Sequence, residues 1–182
     1  MNTLKAVVFL FLATMLASCD PLYSIYFVNR YNKNVYVEYY VSSYPDTTLL
    51  GTRCIYNSAI QSQDTAHIYE TIGRLTDFFY YDGTRIDTVS FFLFDSDSVD
   101  YYSWDTIVNK NMVLQRYDLS MFDLENLMFD KGSSILHFPP TEQMKNIHMW
   151  PPYGTYDENG NIIEGRGVSS DNKHRITYSF IP

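Results

Sequence analysis

One stretch near the middle of the chain is apolar on both of its alternating faces, and this feature constrains the fold most. Residues 87–94 read DTVSFFLF, in which Val89, Phe91 and Leu93 alternate with two further phenylalanines. Successive side chains of a strand point to opposite faces, so both faces of this segment would be apolar. A strand of that kind needs cover on each side. The stretch therefore predicts a central strand buried on both faces.

Other segments have the composition or the alternation of strands. Residues 23–29 (YSIYFVN) and 35–41 (VYVEYYV) are rich in β-branched and aromatic residues, and five polar residues join them. This pattern predicts a hairpin. The dipeptide Asp82-Gly83 predicts a turn. Further strands are predicted at residues 64–70, 78–81 and 133–138, the last of them stopped by Pro139-Pro140.

The spacing becomes helical between residues 103 and 127. Trp104, Ile107 and Val108 follow Ser103 at helical spacing, which predicts a helix with Trp104 in the core, and residues 120–123 match a capping box. We therefore predict a mainly β domain over residues 19–153. Its expected architecture is an antiparallel β-sandwich of immunoglobulin-like character, with two short helices inserted before the last core strand.

The composition shifts after residue 150. Residues 151–182 hold four of the eight glycines and three of the seven prolines, with Asn159-Gly160 as a hairpin-type turn. Ile176, Tyr178 and Phe180 alternate and allow a last strand. We predict a partly mobile C-terminal tail over residues 154–182.

The first 19 residues have the parts of a lipoprotein signal. Lys5 precedes an apolar stretch that is too short to span a bilayer, and Leu16-Ala17-Ser18-Cys19 closes the segment. A leucine three residues before the cut and a cysteine after it resemble the lipobox. In lipoproteins of that kind the thiol takes a diacylglycerol, and the new amino group is usually acylated, for example with palmitate. We therefore predict a signal peptide at residues 1–18 and lipidation of Cys19.

Charge and cysteine content narrow the partners and the compartment. The formal net charge of −8 and the scattered lysines and arginines argue against nucleic acid. The predicted location is the cell envelope, with the outer membrane favoured and the membrane face left open. If the lipobox uses Cys19, then Cys54 has no partner for a disulfide, and we interpret it as a small buried side chain.

Motifs for metal ions and for catalysis fail in this sequence. The acidic run Asp95-Ser96-Asp97-Ser98-Val99-Asp100 departs from a calcium loop at three positions and is interpreted as a solvated loop. Asp157, Asn159 and Asn161 resemble part of the same motif but are better explained by a hairpin turn. The histidines at 67, 137, 148 and 174 have no metal-ligand spacing. We expect no cofactor, no metal and no catalytic residue.

Aromatic residues make up 17% of the chain, including 17 tyrosines. Such rings suit packed sheet surfaces, and flat exposed rings also stack on sugars. Trp150 precedes Pro151-Pro152-Tyr153, a context that is typical of exposed segments and leaves core packing of Trp150 as the alternative. Trp150 and Tyr153 are therefore the predicted ligand contacts.

Three further segments support a resemblance. Residues 91–95 (FFLFD), 102–105 (YSWD) and 114–120 (LQRYDLS) are similar to a family of uncharacterised lipoproteins from gut Bacteroidota. The similarity covers roughly residues 19 to 153 and implies an envelope location and a compact domain. The family has no activity to carry over. Its surface-exported relatives tend to have several acidic residues after the cysteine, and here only Asp20 follows.

Three functional hypotheses remain from the sequence. The first is a non-enzymatic envelope lipoprotein that binds or scaffolds another envelope component, most simply a protein. The second is a glycan-binding module, which predicts coplanar exposed rings around a shallow groove. The third is a hydrolase, which predicts a deep pocket with two carboxylates or a pair of histidine and carboxylate.

Overall fold

The computed structural model describes residues 22–40, 58–130 and 132–163, and within them two four-stranded sheets pack on a shared core. The predicted mainly β, largely antiparallel sandwich is confirmed. The strands are β1 (Leu22–Asn29), β2 (Val35–Tyr40), β3 (Thr65–Ile72), β4 (Tyr80–Tyr81), β5 (Thr84–Arg85), β6 (Val89–Asp95), β7 (Gln115–Leu119), β8 (Met128–Asp130), β9 (Ser133–Phe138) and β10 (His148–Trp150).

Sheet A has the strand order β3-β1-β9-β8, and sheet B has the order β10-β7-β6-β2. Every neighbouring pair is antiparallel except β1 and β9, which run parallel. The small hairpin β4-β5 turns at Asp82 and Gly83, where φ is +48° and +73°, so the predicted turn is confirmed. The inward side chains of both sheets form one apolar core, in which the largest fully buried members are Tyr117, Phe27, Phe78, Phe91 and Phe138.

Strand β6 is the doubly buried strand that the sequence predicted. All seven of its residues are buried. Val89, Phe91 and Leu93 belong to the core between the sheets. Phe92 and Phe94 face the other way and pack in a second apolar cluster, under two short helices. The helices therefore form a third layer over part of sheet B.

The predicted hairpin between the first two strands is wrong. β1 lies in sheet A between β3 and β9, whereas β2 lies at the edge of sheet B beside β6. At the end of β1, where the crossing begins, Asn29 is fully buried. Its side-chain amide donates to the carbonyl oxygens of Lys33, Ile60 and Gln61 at 2.8, 3.1 and 3.0 Å. These bonds hold the polar connection as a crossing between the sheets.

Three short α-helices are present in the described residues: α1 (Ser96–Tyr101), α2 (Trp104–Asn109) and α3 (Met121–Asn126). The last two match the predicted helices. Ser103 and Ser120 cap them, and Ser120 forms the predicted capping box with Asp123. The ring of Trp104 packs edge-on against Phe94 at 5.3 Å, as the core interpretation expects.

Two local predictions are corrected. The acidic run after β6 is helix α1 and not a loop, because Asp95 accepts a hydrogen bond from the backbone N–H of Ser98 and so caps the helix. The Nζ atom of Lys33 also lies 3.1 Å from Oδ2 of Asp95 and 3.0 Å from Oδ2 of Asp97. The first half of residues 78–81 is the end of a 3-10 helix (Leu75–Phe79), which buries three of its five residues, and the second half forms the short strand β4.

The first part of the predicted tail packs on the sandwich. The side chain of Asp157 accepts hydrogen bonds from the backbone N–H groups of Asn159 and Asn161, so the predicted turn is confirmed. Tyr156 contacts Phe138 edge-on at 5.1 Å. Residues 164–182, including His174, lie outside the described residues, as do Cys19 and Cys54. Where the structure describes the chain, none of its helices has the length and apolar character of a membrane span.

Candidate functional site: a polar row on the outer face of sheet B

The outer face of sheet B carries a row of polar side chains across all four strands. Register pairs Tyr40 of β2 with Ser90 of β6, Ser90 with Asp118 of β7, and Asp118 with His148 of β10. Because directly paired residues of antiparallel strands point to the same face, these four side chains lie side by side. We call this set the polar row.

Asp118 is the centre of the polar row. Its Oδ1 accepts hydrogen bonds from Ser90 Oγ at 2.6 Å and from Arg116 Nε at 2.7 Å. Its Oδ2 accepts from Arg116 Nη2 at 2.6 Å and lies 2.6 Å from His148 Nδ1. The side chain of Asp118 is only 9% exposed, and that of Arg116 is 14% exposed. The carboxylate is therefore a buried acceptor surrounded by donors, with a bidentate guanidinium.

These contacts set the ionisation of Asp118. Burial alone would raise its pKa, because a carboxylate loses solvation in the interior. The hydrogen bonds from Arg116, Ser90 and His148 and the nearby guanidinium charge outweigh burial and hold the pKa of Asp118 below its usual value. Asp118 is therefore ionised at neutral pH.

A second row lies next to the first on the same face. Register pairs Glu38 with Phe92, Phe92 with Arg116, and Arg116 with Trp150. The guanidinium of Arg116 stands over the Phe92 ring, with 5.7 Å from its Cζ to the ring centroid. Arg116 is thus fixed twice, by Asp118 on one side and by an aromatic face on the other. Glu38 is nearly fully buried and accepts a hydrogen bond from Tyr40.

His148 is the part of the polar row that reaches solvent. Its side chain is 82% exposed, although Nδ1 is held at the buried Asp118. A ring nitrogen that is bound to a carboxylate fixes the orientation of the imidazole, which leaves Nε2 pointing away from Asp118. The arrangement presents one oriented donor or acceptor at the surface. It places that group on β10, the edge strand of the sheet.

The predicted ligand contacts lie at this edge, where Trp150 ends β10 and Tyr153 lies inside the turn that the Thr155 N–H closes on the carbonyl oxygen of Pro152. Trp150 is half-buried, and its indole Nε1 is hidden from solvent. Tyr153 is 39% exposed, and its hydroxyl donates to Glu142 Oε2 at 2.9 Å. Glu142 also pairs with Lys145. Both predicted residues thus lie within five residues of His148 in the chain. Trp150 belongs to the second row, beside the polar row that contains His148.

The other two histidines of the described residues lie in the other sheet. His67 is in β3 and His137 is in β9, both in sheet A. Burial and the charge of Arg30 lower the pKa of His137. In the portion of the chain that the structure describes, no three histidine, cysteine, aspartate or glutamate side chains are grouped so that they could hold a metal ion.

Sequence reasoning missed Ser90, Arg116 and Asp118 as members of a site. A local signal exists in β7, where Arg116 and Asp118 alternate with the buried Tyr117 and Leu119. Opposite charges two residues apart on one face of a strand are able to pair. His148 lies 30 residues further along the chain, and no local pattern joins it to Asp118.

Comparison with known proteins identifies no relative. No protein-family model, no curated protein and no solved structure matches the chain. The resemblance to lipoproteins of gut Bacteroidota therefore stays a prediction.

Proposed function

We propose that the protein is a lipid-anchored component of a bacterial envelope that binds a protein partner through the outer face of sheet B at its β10 edge. The observation that supports the partner site best is the coupling of a buried carboxylate to an exposed imidazole. Asp118 is 9% exposed, and the His148 ring that it holds is 82% exposed. The anchor rests on the lipobox that ends at Cys19.

A preassembled polar row favours recognition. Binding costs the entropy of every side chain that must be ordered in the complex. Arg116 is already held by two hydrogen bonds and an aromatic face, and His148 is already held at Nδ1. These side chains are therefore already ordered before a partner binds, and little further entropy is lost on binding.

The residue types beside His148 are those that anchor protein interfaces. Tryptophan, tyrosine and arginine supply much of the binding energy at such surfaces, often inside a polar rim. Trp150 and Arg116 lie in the row next to His148, and the partly exposed Tyr153 follows after the two prolines. A strand of three residues followed by two prolines is a short edge. Such an edge disfavours unspecific pairing with other strands.

The geometry gives less support to a hydrolase. A serine nucleophile is activated when its hydroxyl donates to a histidine or another base that removes the proton. Here the Ser90 hydroxyl is buried and donates to Asp118, and His148 binds the other oxygen of that carboxylate. Within the described residues, the His148 ring is hydrogen-bonded to Asp118 and not to the Ser90 hydroxyl. The hydrolase and glycan-binding hypotheses stay as alternatives from the sequence.

Anchoring is tested by growing cells with an alkyne fatty acid and following the label on the protein. The wild-type chain should carry the label and float with membranes, and a Cys19→Ala variant should do neither. Label that persists in the Cys19→Ala variant would overturn the lipobox assignment.

The partner site is tested by crosslinking and pull-down of the acylated protein from its own envelope. His148→Ala and Trp150→Ala should each weaken binding of the partner about thirtyfold or more, because anchors of this kind contribute about 2 kcal/mol or more. His67→Ala is the matched control, since His67 also approaches a carboxylate, Glu70 at 3.6 Å, but on sheet A. Equal recovery from all three variants would exclude this face.

A further inference from the structure

The start of β1 carries an exposed apolar rim on the outer face of sheet A. Leu22 pairs directly with Ile72 of β3, and these side chains are 47% and 71% exposed. Phe129 of β8 is 60% exposed and contacts the ring of Tyr26, with 6.0 Å between the ring centroids. Because Ile25 and Phe27 point into the core, the alternate residues Leu22 and Tyr26 point outward. We call Leu22, Ile72 and Phe129 the apolar rim.

The rim lies within a short tether of the proposed lipid site. Two residues, Asp20 and Pro21, lie between Cys19 and Leu22, so the three Cα-to-Cα steps of this tether reach at most about 11 Å. β1 has eight residues and extends about 23 Å along its length. The rim is therefore the part of the described domain that an anchor at Cys19 would hold at the bilayer, and the other end of β1 cannot reach as close.

We propose that the apolar rim rests on the surface of a zwitterionic phospholipid bilayer, with Leu22, Ile72 and Phe129 at the level of the headgroups. This inference rests on the proposed lipidation of Cys19. Transfer of exposed leucine, isoleucine and phenylalanine side chains from water to the headgroup and acyl boundary lowers the free energy of the system. A short tether adds to this contact, because it holds the rim at a high effective concentration near the lipid.

The net negative charge of the protein favours one kind of lipid. Glu70 pairs with Ser24 in the row next to Leu22, and its side chain is 49% exposed. Asp130 follows Phe129 and is exposed, and the exposed Arg74 lies two residues after Ile72. The chain has a formal net charge of −8. Anionic headgroups would repel a protein of this net charge, whereas zwitterionic headgroups carry no net charge and do not.

The opposite end of the sandwich provides a matched control. Gly160 lies against the ring of Tyr31 in the crossing between the sheets. Ile162, which bridges to Tyr156 nearby, is 46% exposed. Ile162 and Ile72 are thus two exposed isoleucines at opposite ends of the domain.

The test uses the full acylated protein in phosphatidylcholine vesicles whose acyl chains carry bromine, which quenches nearby tryptophan. Three variants are compared with the unsubstituted protein, which supplies the background of Trp104 and Trp150: Ile72→Trp, Phe129→Trp and Ile162→Trp. Flotation of the vesicles reports anchoring separately. The added fluorescence should fall by about half for Ile72→Trp and Phe129→Trp, since a side chain at the headgroup and acyl boundary lies about 5–10 Å deep, and it should be unchanged for Ile162→Trp.

Each other outcome overturns a defined part of the reasoning. Equal quenching at all three positions, or none at any position while the protein still floats, would overturn the orientation and leave the anchor standing. Greater quenching in vesicles that contain phosphatidylglycerol would overturn the choice of a zwitterionic surface. Loss of flotation would overturn the anchor, and this inference with it.

Discussion

Replacement of Asp118 by asparagine tests the polar row most directly. The substitution keeps the shape of the side chain but removes the charge that Arg116 and His148 face. The new amide group would stand where Oδ2 accepts from Arg116 Nη2 at 2.6 Å, so a donor would face a donor. Ser90 Oγ, which donates to Oδ1 at 2.6 Å, could keep its bond.

The size of the effect follows from burial. Breaking a buried ion pair by removing one partner costs about 3–5 kcal/mol. Asp118 and Arg116 keep 9% and 14% of their side-chain exposure, and this residual solvation lowers the expected loss to about 2–4 kcal/mol. For a domain of this size that loss corresponds to a fall in Tm of about 6–12 °C. Ser90→Ala should cost about 1–2 kcal/mol. His148→Ala, at an exposed position, should cost less than about 1 kcal/mol.

The measurement is urea unfolding of the unanchored Cys19→Ala chain, followed by circular dichroism, for the three variants and their parent. The essential result is the order of the losses in free energy of unfolding. The loss should be largest for Asp118→Asn, smaller for Ser90→Ala and smallest for His148→Ala. A loss for Asp118→Asn no larger than that for His148→Ala would refute the view that the buried carboxylate organises this face.

The dependence on pH gives the same experiment a second readout. The pKa of Asp118 is held below its usual value in the folded protein. A group of this kind adds stability above its unfolded pKa and loses that contribution as the pH falls through its folded pKa. The difference between the parent and the Asp118→Asn variant should therefore be constant near neutral pH and shrink below about pH 4. A difference that grows on acidification would contradict the assigned direction.

The other predictions concern the scaffold and are checked by the same unfolding measurement. Ser120→Ala removes the cap of α3 and should cost about 1 kcal/mol, whereas Ser120→Asp should recover most of it. Gly132→Ala should cost more than about 2 kcal/mol, because φ is +79° there and a Cβ would collide with the carbonyl oxygen of Leu22. Phe91→Ala should cost about 3–5 kcal/mol, because its fully buried ring packs between the sheets; a smaller loss than for Ser120→Ala would contradict the assigned core.

Strand β6 could be predicted because its signal is local. Its two apolar faces demand cover on both sides, and the structure supplies sheet A on one side and the helices on the other. The helices after Ser103 and Ser120 were predictable for a similar reason, because a cap and a helical spacing lie within a few residues of each other. For each of these elements, residues within the element itself indicate which faces are buried or where the helix begins.

The pairing of β1 could not be predicted in the same way. Two strands with five polar residues between them predict a hairpin, and that rule considers only the nearest neighbour in the chain. β1 instead takes β3 and β9 as partners, the latter more than 100 residues away. At the crossing Asn29 donates to the carbonyl oxygens of Ile60 and Gln61, which lie about 30 residues away, and no local pattern indicates these bonds. The polar row could not be predicted for the same reason, because the register between β6, β7 and β10 brings its residues together.

The two proposed surfaces are related through the direction of the strands. β1 runs from Leu22 to Asn29, the chain crosses to sheet B, and β2 runs back to Tyr40. Tyr40 begins the polar row, so that row lies toward the same end of the sandwich as Leu22, on the outer face of the other sheet. An anchor at Cys19 would then hold His148 close to the bilayer. A partner that reaches this face would itself have to lie at the membrane, and this favours another anchored or embedded envelope protein over one that diffuses freely.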